Sequence, residues 1–432
     1  MNQLSICLGC GCACDDIIVG VRDGRIVEAR NACELGKRWF GDGRVSAEVR
    51  VRGESVKVEE ALDAAATLLG GARRALVYLA PDISCEAQRA AVALADQLHG
   101  VVDSVTSSTV AGGTLAAQRR GRPSASLGEI RNRADLLVFW GVDPAERYPR
   151  FLTRYAPDPE GIFVPGGRGD RTVIAIDIGD ERGPEDADLR IALASGDEQT
   201  ALARLRASTL KRVAAARREE RPEGKLDELS THFDAARYAV IVYDAEPRAE
   251  AGDGEGRDGA WRAEALIALA QQLNAGIRCS LMALRAGGNR NGAESVMTWQ
   301  TGFPMTVDYS RGVPRYRPDE ATAALLERGA LDAIIIVGNA RAESIPSMGD
   351  VPRIVIGPWA SQAEPAAEIA IDTGVAGIHE GGMAFRMDDI PLPLRPSLPG
   401  PSSAPDTAFL VEALGARIRA RSGETRSNGG SR

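Results

Sequence analysis

Four cysteines fall within eight residues near the start of the chain, in the segment CLGCGCAC. Two residues lie between Cys7 and Cys10, three between Cys10 and Cys14, and eighteen between Cys14 and Cys33. Short spacings put thiolates on one tight loop, and a distant fourth thiolate can return to that loop after a hairpin. Thiolates select zinc or iron–sulfur centres over hard cations. The spacing predicts a metal centre whose ligands are Cys7, Cys10, Cys14 and Cys33. Cys12 lies outside this predicted ligand set.

The identity of that centre is not determined by the spacing. An iron–sulfur cluster, a structural zinc ion and reduced thiols without metal are all compatible with it. Gly9 and Gly11 favour a loop that wraps a bulky centre, because glycine adopts backbone conformations that other residues avoid. The seven cysteines are odd in number and concentrated at one end, which indicates a reducing cytoplasm rather than disulfides.

Composition narrows the class of protein. A chain of 432 residues with 44% hydrophobic and 26% charged residues is expected to be globular, with two or three domains. Its formal net charge of −8 offers no basic field for nucleic acid or an anionic membrane surface. No apolar run approaches the ~20 residues that span a bilayer, and the start MNQLSICLGC has no secretory pattern. We therefore expect a cytoplasmic protein.

Histidine chemistry has little support, because the three histidines, His99, His232 and His379, are far apart in sequence. His379 lies beside Glu380 in a glycine-rich segment and is the one candidate acid or base among them.

The elements that must position these residues alternate between strands and helices. Amphipathic stretches such as CEAQRAAVALADQLHG and WRAEALIALAQQLNAG end near glycine, as helices do. Alternation over 300 residues predicts an α/β fold of mostly parallel sheets, doubly wound with helices on both faces. The predicted buried strands are ALVYLA (75–80), VVDSV (101–105), DLLVFWG (135–141), TVIAIDIG (172–179), YAVIVYD (238–244), RCSLMAL (278–284), LDAIIIVG (331–338) and RIVIGPW (353–359).

A small cysteine-rich unit precedes this alternation. It contains the hairpin IIVGVRDGRIVEA, whose Asp23-Gly24 pair favours a tight turn. The polar C-terminus is predicted to be disordered. The expected organisation is a cysteine-rich domain at 1–50, a first α/β domain at 51–145 that returns at 316–415, a second α/β domain at 146–315, and a disordered tail at 416–432.

The order of motifs resembles the B subunit of formylmethanofuran dehydrogenase, the molybdenum- or tungsten-pterin subunit of an archaeal enzyme, over nearly the whole chain. This resemblance implies a [4Fe-4S] cluster at the first motif and a molybdopterin-oxidoreductase fold without its C-terminal barrel. The matching motifs are CxxCGxxCDDI (7–17), NAC (31–33), NRAD (132–135), DPxxxxPR (143–150), DRT (170–172), TWxxGxP (298–304), VDxSxGxPRYxP (307–318) and GMAFRMDDIP (382–391).

The departures from that family bear on catalysis. In the dehydrogenase, the loop after the VVD strand carries a Cys-His pair whose thiolate ligates the metal; here Thr109 and Val110 stand at those positions. A threonine hydroxyl stays protonated and ligates poorly, and valine transfers no proton. The stretch IGDERGPED (178–186) is acidic where the family has a phosphate-binding stretch, and would repel phosphate. An acidic, glycine-rich stretch (246–259) replaces the family's nucleotide loop. No molybdenum- or tungsten-pterin is expected.

With these departures, the chain resembles the bacterial version of this subunit, which belongs to the formyltransferase/hydrolase complex of methylotrophs. That assembly moves a formyl group from formyl-tetrahydromethanopterin to a furan-type carrier and hydrolyses it to formate, in formaldehyde oxidation. The resemblance implies a redox-inactive structural subunit in a hetero-oligomer with formyltransferase and amidohydrolase-like formylhydrolase subunits. Two alternatives stay open: an active molybdenum- or tungsten-pterin dehydrogenase subunit, and a binding module stabilised by zinc on four cysteines.

Overall fold

The computed structural model describes residues 2–214, 224–246, 257–340, 347–401 and 405–429. Most of the acidic stretch 246–259 lies outside the described residues. The strands, in chain order, are β1 (Asn2–Ser5), β2 (Ile17–Arg22), β3 (Arg25–Arg30), β4 (Val49–Val51), β5 (Glu54–Ser55), β6 (Ala75–Leu79), β7 (Val101–Ser104), β8 (Leu136–Trp140), β9 (Thr172–Ile178), β10 (Leu189–Leu193), β11 (Tyr238–Asp244), β12 (Arg278–Leu284), β13 (Val307–Asp308), β14 (Arg315–Tyr316), β15 (Ala333–Val337), β16 (Arg353–Gly357), β17 (Ile369–Asp372), β18 (Gly382–Phe385) and β19 (Pro391–Leu394).

Helices connect most of these strands. They are α1 (Glu34–Phe40), α2 (Val58–Gly71), α3 (Cys85–Gln97), α4 (Thr106–Thr109), α5 (Ala111–Arg120), α6 (Leu127–Arg133), α7 (Phe151–Arg154), α8 (Glu198–Ala214), α9 (Lys225–Ala235), α10 (Arg257–Leu273), α11 (Arg290–Thr301), α12 (Thr322–Glu327) and α13 (Thr407–Gly429). Helix α13 includes most of the segment 416–432, which the sequence predicts to be disordered. Across the described residues, every helix is too short or too polar to cross a membrane.

The predicted strands and hairpin are confirmed. Each of the eight predicted apolar runs contains one strand of the structure, namely β6, β7, β8, β9, β11, β12, β15 or β16. In the β2–β3 hairpin, Asp23 and Gly24 have φ values of 50° and 70°. Two consecutive positive φ angles are what a two-residue hairpin turn with the natural strand twist requires.

The chain divides into two compact units, each described by itself. Unit 1 comprises Met1–Ser108 and Gly287–Arg432, and unit 2 comprises Thr109–Ala286. These limits differ from the sequence-based boundaries after residues 145 and 315. The reason is strand pairing, because β8 pairs with β9 and β11 in unit 2, whereas β13 pairs with β7 in unit 1.

Unit 1 contains a nine-stranded sheet in the order β14-β13-β7-β6-β15-β16-β17-β4-β5. Its five central strands are parallel and its edge strands are antiparallel. Alternate residues of β6 face opposite sides: Val77 and Leu79 join a core that includes residues of α2, α3 and α13, while Leu76 and Tyr78 join a second core. This sheet is therefore buried on both faces, as the doubly wound prediction requires.

Unit 1 also carries a three-stranded antiparallel sheet, β1-β2-β3, and the β18–β19 hairpin. The cysteine segment connects β1 to β2. Its backbone closes on itself, because the N–H of Cys7 donates to the carbonyl of Cys14 at 3.0 Å and that of Ala13 to the carbonyl of Cys10 at 3.1 Å.

Unit 2 contains a five-stranded, fully parallel sheet in the order β10-β9-β8-β11-β12. From β8 the chain continues to β9 and β10 on one side, and then crosses to β11 and β12 on the other. Strand order thus reverses between β8 and β11. In open α/β sheets, the crevice at the carboxyl ends of the strands at such a point is the usual ligand site.

Candidate functional site

The cysteine loop (residues 7–14) encloses its thiols. Cys7, Cys10 and Cys14 are buried, and Cys33 is half-buried at the N-terminus of α1. The N–H of Gly9 lies 3.4 Å from the sulfur of Cys7, as a donor to it. Burial raises the pKa of the Cys7 thiol, so a bound cation is needed to hold it as a thiolate at neutral pH.

Gly36, in the first turns of α1, brings two of the predicted ligands together. A Cβ atom at this position would lie 3.2 Å from the Cys7 sulfur and 3.9 Å from the Cys33 sulfur. Both sulfurs therefore border the space that the missing side chain leaves. Residue 33, distant in sequence, returns to the loop through the β2–β3 hairpin, as the spacing argument expects.

Cys12, outside the predicted ligand set, has an exposed fraction of 0%. A hydrogen bond with the Cys10 side chain, together with burial, raises the pKa of its thiol. The environment favours a neutral thiol at this position.

Zinc and iron–sulfur centres place different demands on the arrangement of their donors. Within the part of the chain that the structure describes, no group of three or more His, Cys, Asp or Glu side chains is arranged to hold one metal ion. A tetrahedral zinc site needs its thiolates on a single atom. A four-iron cluster is held by four cysteine thiolates around a larger inorganic core. Four cysteine side chains are a donor set that either centre can use.

A second loop of unit 1, GGNRN (287–291), supports the cysteine loop and was not anticipated from the sequence. The N–H of Gly288 donates to the carbonyl of Leu8 at 2.9 Å. A Cβ atom on Gly287 would lie 2.7 Å from the same carbonyl oxygen. Only glycine allows the two backbones to approach this closely. The Gly-Gly pair directly before a helix is the signal that could have indicated it.

Asn289 connects this second loop to three other segments. Its side-chain amide donates to the carbonyl of Ile83 at 2.9 Å, and its oxygen accepts from the N–H of Phe385 at 2.7 Å. Its backbone carbonyl accepts from the Gln88 side chain at 3.0 Å. All polar groups of a buried asparagine must find partners, so this residue is a structural centre of unit 1.

Thr109 and Val110 begin unit 2, at the end of α4 and before α5. Thr109 is half-buried and Val110 is buried. Neither side chain offers a thiolate or an imidazole to a metal ion.

The carboxyl end of the unit 2 sheet is filled by the chain's own charged groups. Gly141 follows β8 with φ of 60°, and a Cβ atom on it would lie 2.7 Å from the Glu181 carboxylate. Arg262 forms ion pairs with Glu181 at 2.9 Å and with Glu198 at 2.7 Å. Glu198 also accepts from the indole N–H of Trp140 at 2.7 Å. Glu181 and Glu198 therefore both engage the Arg262 guanidinium at this end of the sheet.

Ion pairs within the chain also lie at the carboxyl end of strand β11. Asp244 pairs with Arg147, and burial raises the pKa of Asp244 to about 6. Glu246 pairs with Arg285 at 2.7 Å, and both side chains are more than nine-tenths buried. Arg147 and Arg285 are therefore engaged by internal carboxylates.

The acidic stretch 178–186 folds back onto β9. The N–H of Gly183 donates to Asp177 at 2.9 Å, and Arg190 donates to the same carboxylate at 2.6 Å. A turn stabilised by an internal carboxylate occupies the region in which the resemblance places phosphate binding.

His379 and Glu380 have structural partners. The imidazole bonds to the backbone of Gly43 and Val375, and the carboxylate to Gly374 and Thr407. Both side chains are therefore bonded to groups of unit 1 itself.

The chain is similar to characterised proteins over most of its length. It is 31% identical, over 94% of this chain and 96% of the relative, to the B subunit of tungsten-containing formylmethanofuran dehydrogenase 2 from Methanocaldococcus jannaschii. It is 30% identical, over 95% of this chain and 96% of the relative, to the protein of the same name from Methanococcus maripaludis. It is 28% identical, over 77% of this chain and 86% of the relative, to the B subunit of the formyltransferase/hydrolase complex Fhc from Methylorubrum extorquens.

A solved structure has a similar fold. A chain of the formyltransferase/hydrolase complex FhcABCD of Methylorubrum extorquens, crystallised with methylofuran, superposes with a TM-score of 0.71. The match covers 87% of this chain and 99% of that chain at 24% identity. A scan against protein-family models finds no match. The identity and coverage of the archaeal relatives are sufficient to assign the family: the chain belongs to the family of formylmethanofuran dehydrogenase B subunits.

Proposed function

We propose that this chain is a redox-inactive structural subunit of a formyltransferase/hydrolase complex in tetrahydromethanopterin-linked oxidation of one-carbon units to formate. Its partners in this proposal are a formyltransferase and an amidohydrolase-like formylhydrolase. The observation that carries the proposal is the carboxylate of Glu181, which lies against Gly141 and pairs with Arg262 at the carboxyl end of the unit 2 sheet.

The physical argument is electrostatic. A pterin dinucleotide carries a pyrophosphate, and pyrophosphate sites are built from backbone N–H groups and cations. Here three arginines of this region, Arg147, Arg262 and Arg285, are already paired with carboxylates. Binding a phosphate would require breaking buried ion pairs, each of which costs several kcal/mol when one partner is left alone. Thr109 in place of a ligating cysteine supports the same conclusion.

We further propose that Cys7, Cys10, Cys14 and Cys33 hold a [4Fe-4S] cluster. When bound, such a cluster supplies one-electron transfer. In a protein without a second redox centre, its contribution would be structural, because it joins a short loop to the start of α1.

A second candidate function is an active tungsten- or molybdenum-pterin dehydrogenase subunit. The higher identity and coverage with the archaeal tungsten enzymes, 31% over 94% of the chain against 28% over 77%, favours it. The loss of the Cys-His pair counts against it.

Metal and pterin analysis of the purified complex distinguishes the two. The chain would be expressed with its formyltransferase and hydrolase subunits, purified without oxygen, and analysed for molybdenum, tungsten and oxidised pterin. We expect neither metal nor pterin above trace level, no dye-linked oxidation of formate, and formyl transfer by the intact complex. One tungsten or molybdenum atom per chain, recovered with pterin, would refute the proposal.

A further inference from the structure

The cysteine loop contains one thiol that the proposed cluster does not use. Cys12 is 0% exposed, and its side chain is hydrogen-bonded to the side chain of Cys10. Cys10 belongs to the predicted ligand set, whereas Cys12 lies outside it. A buried group that bonds to a ligand atom belongs to the layer that surrounds a metal centre and adjusts its properties.

The direction of this hydrogen bond follows from the chemistry of ligation. A cysteine that ligates iron is a thiolate, so the sulfur of a ligating Cys10 carries no hydrogen and can only accept. The Cys12 thiol retains its hydrogen in the buried loop. Cys12 is therefore the donor of the pair, and Cys10 is the acceptor.

The backbone on both sides of Cys12 is fixed. The N–H of Ala13 donates to the carbonyl of Cys10 at 3.1 Å, and Ala13 has a φ of 36°, in the left-handed region. A residue other than glycine is uncommon in this region and persists only where the surrounding contacts determine it. On the other side, the carbonyl of Gly11 accepts from the N–H of Met387 at 3.1 Å. These contacts keep Cys12 beside Cys10.

A second donor of the same loop is directed at another predicted ligand. The N–H of Gly9 donates to the Cys7 sulfur at 3.4 Å. Gly9 lies close to α1, because a Cβ atom on it would lie 3.1 Å from the carbonyl oxygen of Leu35. The loop thus places a hydrogen-bond donor on two predicted ligand sulfurs, one from the backbone and one from a side chain.

A buried ion pair beside the loop offsets little of the charge that thiolates bring to it. The guanidinium of Arg386 is near enough to act on Cys12 by its charge. However, it is bound to Asp388 at 2.6 and 2.8 Å, and the Asp388 side chain is 0% exposed. The pair is therefore close to neutral, and hydrogen bonds to the sulfurs take on part of the compensation.

We propose that Cys12 is a positioning residue of the [4Fe-4S] cluster, whose S–H group donates to the ligand sulfur of Cys10 and thereby raises the reduction potential of the cluster. This inference rests on the proposed cluster. Four thiolates make the cluster an anion, and one-electron reduction adds to its negative charge. A donor to a ligand sulfur withdraws electron density and so favours the reduced form.

The proposed function involves no electron transfer, so the hydrogen bond serves to stabilise a buried negative centre, and the reduction potential is its readout. A role of Cys12 in packing alone predicts the opposite shift. Loss of packing admits water to the loop, and water raises the potential because it stabilises the more highly charged reduced form. Loss of the donor lowers the potential. The sign of the shift therefore separates the two roles.

The experiment uses the full chain, co-expressed with its formyltransferase and hydrolase subunits and purified without oxygen. Iron and sulfide per chain are measured first. A titration with dithionite and mediator dyes, followed by electron paramagnetic resonance, then gives the reduction potentials of the wild type, Cys12→Ala and Cys12→Ser.

We expect Cys12→Ala to retain its iron and to have a more negative potential than the wild type. At a fixed potential, its ratio of reduced to oxidised cluster should be at least about threefold lower. Cys12→Ser keeps a donor and should have a potential at or above that of the wild type. Cys279→Ala is the matched control, because Cys279 is also buried but lies in unit 2, and it should change neither quantity.

The outcomes separate this inference from the cluster itself. An unchanged or more positive potential in Cys12→Ala, with full iron content, would overturn the role of Cys12 and leave the cluster standing. Wild-type protein without iron and sulfide would overturn both. If Cys12→Ala loses its iron, Cys12→Ser decides: a potential at or above that of the wild type supports the hydrogen bond, and a more negative one overturns it. Loss of iron from both variants would make Cys12 a ligand and overturn the proposal.

Discussion

The imidazole Nε2 of His379 lies 2.8 Å from the carbonyl oxygen of Gly43, a residue 336 positions earlier in the chain. The other ring nitrogen, Nδ1, accepts the N–H of Val375 at 3.1 Å. Nδ1 must therefore be unprotonated and Nε2 must carry the hydrogen. This neutral imidazole joins the segment after α1, which follows the cysteine loop, to the segment after β17.

Protonation of His379 should weaken unit 1. Burial lowers the pKa of His379 below its ordinary value of 6.5. The unfolded chain then binds a proton that the folded chain does not, so stability is present above pH 6.5 and is lost as the pH falls below it. We expect His379→Gln, which cannot titrate, to show a smaller loss of unfolding free energy between pH 7 and about pH 5 than the wild type.

Thermal or urea unfolding at several pH values provides the measurement, with His232→Gln in unit 2 as the control. Equal pH slopes for His379→Gln and the wild type would contradict the assignment.

Glu380 should have the opposite pH dependence. Its Oε1 atom accepts from the N–H of Gly374 at 3.1 Å, and from the N–H and the hydroxyl of Thr407 at 3.0 Å each. Burial nevertheless raises the pKa of Glu380 from 4.5 to about 7. The folded state retains a proton that the unfolded state releases, so stability falls as the pH rises through this interval.

Glu380→Gln keeps an acceptor oxygen and removes the buried charge. We expect it to be more stable than the wild type by about 1–3 kcal/mol at pH 8, with the difference vanishing near pH 4. Glu412→Gln, at an exposed position on α13, should change little. A variant that is less stable than the wild type at pH 8 would show that the charged form is favoured.

The proposed iron–sulfur cluster should be lost when any of its four proposed cysteine ligands is changed. Wild-type protein purified without oxygen is expected to contain about four iron and four sulfide ions per chain. Its cluster should also give the protein a broad absorption band in visible light. Cys14→Ser should lose both, whereas Cys12→Ser should retain them. Zinc without iron or sulfide in the wild type would instead support the zinc-stabilised module.

Gly36 offers a subtler test of the same site. A methyl group added at this position would lie 3.2 Å from both the Cys7 sulfur and the Ala32 side chain. These neighbours must move, so Gly36→Ala should retain less iron per chain although no ligand is lost. Gly70→Ala, on α2, has no atom within 4 Å of the added methyl group and is the matched control. Equal iron content in the two variants would argue against a centre between Cys7 and Cys33.

The Arg262 ion pairs should be essential to unit 2. Removing this arginine leaves Glu198 without its cationic partner, and the Glu198 side chain is only 2% exposed. We expect Arg262→Ala to cost about 3–5 kcal/mol of unfolding free energy. Arg119→Ala breaks an exposed pair with Glu264 and should cost at most about 1 kcal/mol. Similar small effects for both variants would mean that the carboxyl end of the sheet is not closed by these pairs.

Several features of this protein follow from the sequence by itself. The eight predicted strands and the Asp23-Gly24 turn are read from contiguous residues, because side-chain periodicity and turn chemistry are local properties. The family is likewise recognised from short motifs in order. The cysteine spacing predicts a ligand set, because loop length limits which thiols can meet.

Only the tertiary structure decides the remaining features. The unit boundaries depend on strand pairing, and the bonds of His379 to Gly43 and of Asn289 to Ile83 join residues that no local pattern connects. The sequence shows that the stretch 178–186 is acidic, but only the structure places the Glu181 carboxylate against Gly141. Charge is visible in a sequence, but whether a carboxylate repels a ligand or binds an internal arginine depends on which groups the fold brings within a few ångströms of it.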